Sequence, residues 1–226
     1  MADSDIELLW QSDLMLAVNK PAGLSTQAPA GIDSLESRLH RQLARPDSYL
    51  SFPHRLDRFV SGVILVALTK KAARLLSAQF ASRKTRKQYL AVVEGQCNVG
   101  QTGPQQWDDF IRKVDDQPRA EVCDEAAPGA KLASTVLKTL SLDLAADRTL
   151  LELNPITGRM HQLRLQTASR GHPIVGDETY GATKGGATKQ HTRRILLHAH
   201  RLEFHDPSNG RLIRVESASP FDLSTP

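Results

Sequence analysis

The chain has 226 residues, of which 40% are hydrophobic and 24% charged, values that place it among folded globular proteins and exclude intrinsic disorder and fibrous architectures. No run approaches the ~18 apolar residues of a membrane span, and the start MADSDIELLW is acidic where a secretory signal would be basic. Two cysteines, Cys97 and Cys123, lie far apart in no CxxC pattern, which argues against a disulfide framework and a structural zinc site, and the formal charge of +4 favours a polyanionic partner.

The basic residues gather at 83–87, 158–170 and 184–194, and 105–125 holds a local acidic stretch, so one positive face is expected. Leu14–Val18 is a short apolar strand, ended by the turn chemistry of Lys20-Pro21-Ala22-Gly23. From Asp33 or Ser34, with Glu36 three residues after Asp33 as in a capping box, Leu35, Leu39 and Leu43 at four-residue spacing predict a short amphipathic helix closed before Pro46. The apolar run 63–68 predicts a buried strand. Thr69 then caps a helix with Ala72, Ala73, Leu75, Leu76 and Phe80 on one stripe, and Arg83, Lys84, Arg86 and Lys87 at its C-terminal end would complement the helix dipole.

Tyr89–Val93 reads as a strand ended by Gly95, and 96–131, with weak periodicity, reads as loops and short edge strands. Leu132–Leu140 and Thr149–Leu153 are strands joined by a turn at Ala145-Ala146-Asp147. Ile195–Phe204 and Arg211–Val215 flank Asn209-Gly210, a strong hairpin signal. The repeated Gly-Ala-Thr-Lys at 181–184 and 186–189 suggests a mobile surface loop. About seven strands and three helices, with hairpins outnumbering βαβ units, imply an α+β fold: a mixed, mostly antiparallel sheet with flanking helices, in one domain spanning 1–226.

Chemistry concentrates in two charged stretches. In His54-Arg55-Leu56-Asp57-Arg58-Phe59-Val60-Ser61-Gly62 a carboxylate sits between two arginines just ahead of an apolar run. Burying an ion is costly unless it is paired, so Asp57 is either a functional group or half of a structural Arg–Asp pair. In Thr157-Gly158-Arg159-Met160-His161-Gln162-Leu163-Arg164-Leu165-Gln166, His161 and Arg164 would share a helix face able to meet Asp57, with an exposed basic helix as the alternative. His198-Ala199-His200 puts two imidazoles on one strand face, but no Asp, Glu or Cys at a usual spacing completes a metal site. Gly-x-Ser-x-Gly, Walker and Gly-x-Gly-x-x-Gly patterns do not occur, which leaves serine hydrolase chemistry and nucleotide cofactors without support.

HRLDRFVSG followed by VILVALTK, then RKTRKQYLAVVEG, TGRMHQLRLQ, GHPIVGDETYG and LLHAHRLEF, opened by LMLAVNKPAGLSTQ, resemble in order and spacing the pseudouridine synthases of the RluA type, over residues of about 8 to 220. The resemblance implies isomerisation of uridine to pseudouridine within a structured RNA, a ribosomal large-subunit or transfer RNA stem-loop, by a cytoplasmic, monomeric enzyme without metal or cofactor and without a separate S4-type RNA-binding module. By motif position Asp57 is the catalytic aspartate, Tyr89 lines the uracil, and Arg164 pairs with the aspartate. Arg55 is expected to help fill the space left by the extruded base, and His54, Arg58, Arg83, Lys84, Arg86, Lys87, Arg159 and His161 to contribute to RNA binding. Val60 stands where threonine is usual in the family, and Gln166 where histidine is common. Two other readings compete with the isomerase: a non-catalytic RNA-binding or ribosome-assembly protein on the same fold, and an N-glycosidase using a carboxylate at C1′.

Overall fold

The computed structural model describes residues 5–44, 48–100, 103–182, 194–223 and 225. The chain divides into two compact units, Met1–Arg86 with Ala199–Ala218, and Lys87–His198 with Ser219–Pro226. Among the described residues there are ten strands and three α-helices, and the described strand pairs are antiparallel. The α+β class holds. The strand count exceeds the expected seven because β1 (Glu7–Gln11), whose ELLWQ has no alternation, and the strands within 96–131 carry too little hydrophobic periodicity to be seen.

In the first unit, β2 (Met15–Lys20) pairs with β1 and with β3 (Ser61–Ala67). The strand β9 (Leu197–His205) runs from the second unit into the first, lies beside β3 and forms the expected hairpin with β10 (Leu212–Glu216). β3 is buried along its whole length. α2 (Lys70–Ala81), capped by the Thr69 hydroxyl on the Ala72 N–H, lays Ala72, Ala73 and Leu76 against Val63, Leu65 and Phe204. α1 (Leu35–Gln42) starts one residue later than the Asp33–Glu36 box required: Ser34 and Ser37 form the reciprocal cap. α2 ends at Ala81, so the basic cluster is not a helix end. Arg83 has a left-handed φ of 56°, and Arg86 and Lys87 already belong to β4 (Arg86–Glu94).

In the second unit the strand order is β4, β8 (Arg148–Pro155), β7 (Lys131–Asp143), β5 (Gln105–Lys113), β6 (Ala120–Val122). Where loops and short edge strands were expected, β6 is such an edge strand, but β5 is a nine-residue strand paired on both sides. Its inward positions Trp107, Asp109 and Ile111 include a carboxylate, which hides the alternation. α3 (Gln162–Ala168) packs Leu165 on Ile111, Ala120 and Ala133. Gln162 through Thr167 are all buried, which excludes the exposed basic helix. Residues 183–189 of the duplicated Gly-Ala-Thr-Lys segment lie outside the described residues.

Candidate active site

Asp57 sits half-buried on a turn of the first unit whose main chain is pinned on both sides. On one side the Leu56 carbonyl accepts from the Thr26 hydroxyl at 3.3 Å. On the other, the Arg58 carbonyl accepts from the Gly23 N–H at 2.8 Å and from Lys20 Nζ at 3.2 Å. Within the turn, the Val60 N–H reaches the Asp57 carbonyl at 3.1 Å. Lys20 is fully buried and also donates to the carbonyls of Pro21 at 2.9 Å and Leu24 at 2.8 Å. A buried ammonium is tolerable only when its donors are satisfied. Here the three acceptors tie the Lys20–Leu24 turn to the Asp57 turn.

Arg58 and His54 have structural duties in the same turn. Arg58 Nε donates to the Gly23 carbonyl at 2.9 Å, and its guanidinium lies 5.4 Å from the Phe59 ring centroid. His54 Nε2 accepts the Leu65 N–H at 3.0 Å, and its ring stacks on Phe80 with centroids 4.5 Å apart. Arg55 is exposed. Immediately after the turn, Gly62 has φ +118°, and a Cβ there would stand 2.6 Å from the Ala199 backbone nitrogen and closer still to its carbonyl oxygen. Only glycine lets β3 and β9 approach so closely. Arg83, Lys84 and Arg86 are exposed, Arg86 standing 3.9 Å from Glu203.

The second unit places Tyr89 half-buried on β4, opposite Leu153, and Arg164 on α3. Arg164 grips Asp177 in a two-pronged ion pair, Nε to Oδ2 at 2.6 Å and Nη2 to Oδ1 at 2.7 Å, with both side chains buried. The guanidinium lies 5.2 Å from the Tyr180 ring centroid. The Tyr180 oxygen accepts the Ala120 N–H at 2.9 Å and stands 2.9 Å from His161 Nδ1. His161 is the residue before α3 and adopts a left-handed φ of 52°, a conformation costly outside glycine that surrounding contacts must hold. Arg159 is half-buried, its Nε tied to the Leu132 carbonyl at 2.9 Å.

A chain of buried side-chain hydrogen bonds locks α3 onto the sheet. Gln162 accepts from the Thr157 hydroxyl at 2.7 Å and donates to the Ser134 carbonyl at 3.0 Å and the Thr135 hydroxyl at 2.9 Å. Gln166 accepts from that hydroxyl at 2.6 Å and donates to Asp109 at 2.8 Å. Asp109 in turn pairs with Arg170 at 2.9 Å. The amide of Gln166 offers both donor and acceptor at once, which lets it stand where histidine is common. Asp177, Tyr180, Lys20 and Gln162 were not singled out by sequence. The signal for two of them lay in the quoted GDETYG, whose glycines both adopt positive φ, 83° at Gly176 and 91° at Gly181.

Lys87 donates to the Thr157 carbonyl at 3.3 Å. Burial pushes its pKa down to about 8, because desolvation penalises the ammonium. Among the described residues, no group of three His, Cys, Asp or Glu side chains could hold a metal ion, and no helix is long and apolar enough to cross a membrane.

A model of the RNA pseudouridylate synthase family matches residues 14–169. The chain is 36% identical over 219 residues to the dual-specificity RNA pseudouridine synthase RluA of Escherichia coli K12, covering 95% of this chain and 93% of that one. It is 33% identical over 221 residues to the protein of the same name from Haemophilus ducreyi, covering 96% and 94%. Among solved structures, human RNA pseudouridylate synthase domain containing 1 superposes with a TM-score of 0.75 at 29% identity, over 98% of this chain and 86% of that one.

Proposed function

Because this chain belongs to the RNA pseudouridylate synthase family and so isomerises uridine to pseudouridine in RNA, we propose that Asp57 is the carboxylate essential to that reaction. The supporting observation is the turn itself: its main chain is fixed at Leu56 and at Arg58, so the Cα that carries the carboxylate is held in place. Orientation of this kind supplies a large part of an enzyme's rate advantage. The reaction breaks the C1′–N1 bond and joins C1′ to C5, N1 gains a proton and C5 loses one. Atoms balance without a cofactor or a metal, and we assign none.

Tyr89 stacks on the uracil and Arg164, oriented by Asp177, supplies the positive charge that balances the carboxylate. The target uridine must leave its stack before C1′ and C5 can be reached, which costs least in an unpaired loop. Arg55, exposed beside Asp57, suits the role of filling the vacated space. The substrate is a stem-loop of ribosomal large-subunit RNA or transfer RNA, in keeping with relatives named as dual-specificity enzymes, and the enzyme works in the cytoplasm as a monomer with residues 1–226 acting as one catalytic domain.

RNA labelled at uridine C5 tests the reading. Label released from an intact chain is the expected result. Free uracil would indicate a glycosidase, and binding without release a non-catalytic RNA-binding protein.

A further inference from the structure

The edge of the second unit carries a charged groove that the roles above leave unused. In the β5–β7 pairing Ile111 faces Lys131, and in the β5–β6 pairing Lys113 faces Ala120. Cross-strand partners share a sheet face, as do residues two apart along a strand. Ile111, Lys113, Ala120 and Lys131 therefore lie on one face, where Ile111 and Ala120 are buried against Leu165 of α3. Lys113 and Lys131 extend beyond that cover and are exposed. The segment Gly158–Met160, just before α3, joins them in lining an open groove of about 730 Å³.

Its charge is unbalanced. Arg112 and Glu121 neutralise each other at 2.7 Å. Of the other charged lining residues, Lys113, Lys131 and Arg159 stand against the single carboxylate of Asp115. Neither Lys113 nor Lys131 has an ion pair among the described residues, and Arg159 is held in place by its bond to the Leu132 carbonyl. Beside the groove's Gly158 stands Lys87. A side chain on Gly158 would meet Lys87 Nζ at 3.6 Å, and Lys87, two residues from Tyr89 on β4, shares its face. The Lys87 ammonium is desolvated and has one protein acceptor among the described residues, the Thr157 carbonyl. A cation held under these conditions suits an incoming anion.

We propose that this groove holds the RNA strand adjoining the modified uridine, with backbone phosphates at Lys113, Lys131 and Arg159 and the strand entering past Lys87. The inference rests on the RNA isomerase reading and adds the surface that would position the flanking strand. Fixed cations facing an open groove position a phosphate backbone, whereas base identity would be read elsewhere.

The test measures RNA affinity as a function of salt, using whichever of unfractionated transfer RNA or a large-subunit ribosomal RNA transcript releases C5 label with the wild-type protein. Lys113→Gln and Lys131→Gln should each lower the salt slope by about one and weaken binding roughly fivefold near 0.1 M salt, with the double variant losing about two. Lys138→Gln is the control. Lys138 lies on the opposite face of β7 and pairs with Glu152 at 3.5 Å, so its loss should leave the slope unchanged. A double variant with the wild-type slope, from a parent that converts uridine, overturns the groove and leaves the activity standing. A wild-type protein that releases label from neither RNA and binds neither overturns both.

Discussion

The Asp57 turn and the Arg164 helix are held by opposite means. Around Asp57 the fastening runs through main-chain carbonyls, those of Leu56 and Arg58 in the turn and of Pro21, Gly23 and Leu24 beside it, with Lys20, Thr26 and Arg58 as side-chain donors. Around Arg164 it runs through side chains: Asp177, Tyr180, Gln162, Gln166, Asp109 and Thr135. Main-chain acceptors fix the position of the backbone that carries a side chain. A side-chain network fixes the side chain itself, and each missing member leaves a buried partner unsatisfied. At Asp57 these bonds fix the backbone that carries the carboxylate, and at Arg164 they fix the guanidinium itself.

The sharpest way to break the contrast is Asp177→Ala. It would leave the buried Arg164 charge without its two-pronged partner, and removing one member of a buried pair costs about 3–5 kcal/mol. Thermal or urea unfolding measures it, and an unchanged midpoint would mean that Asp177 does not hold the helix. Next comes Gly62→Ala. Its Cβ would collide with the Ala199 backbone at a φ that alanine rarely adopts, an overpacking cost of about 3 kcal/mol, and wild-type stability would contradict so close an approach of β3 and β9.

Lys20→Met keeps the buried stem but leaves carbonyl oxygens without their donor, at about 1–3 kcal/mol. If Lys20 positions the Asp57 turn, single-turnover conversion should fall while RNA affinity holds. A stability loss with no change in rate would reduce Lys20 to a packing residue.

The smallest effect separates stability from binding at Lys87. Its folded-state pKa lies near 8 against an ordinary 10.5, so between these values the unfolded chain holds a proton that the folded chain has released. Folding stability from this group therefore rises with pH across that window, and the charge is a burden below it. Lys87→Met should raise the melting temperature slightly at pH 7, remove the rise between pH 8 and 10.5, and weaken RNA binding. In the wild type, the Lys87 contribution to affinity should fade above about pH 8. Lower stability with unaltered affinity would count against an RNA-facing ammonium.

The two regions also differ in how far sequence revealed them. The HRLDR turn was legible because Asp57 stands between arginines at the mouth of an apolar run. The Thr69 cap, the Asn209-Gly210 hairpin and the strand ending at Gly95 were legible because turn and cap chemistry is local. Arg164 was visible as a basic residue, but its partner Asp177 lies 13 positions on, at no helical or strand period. Asp109 broke the alternation of β5 because it serves Gln166 and Arg170. Arg83–Lys87 looked like a helix end because charge spacing does not report where the last turn closes, at Ala81. Local rules read turns and caps well, whereas a network of distant side chains leaves little periodic trace.

The most direct test is Asp57→Asn, assayed for C5 label release in a single turnover, with melting temperature and RNA affinity taken on the same preparation. Asparagine keeps the shape and removes the charge. Since phosphate contacts carry most of the affinity, the expected result is a folded protein that binds RNA within about twofold of wild type and releases no label. A folded variant that still converts uridine at a comparable rate would contradict the assignment of the chemistry to Asp57.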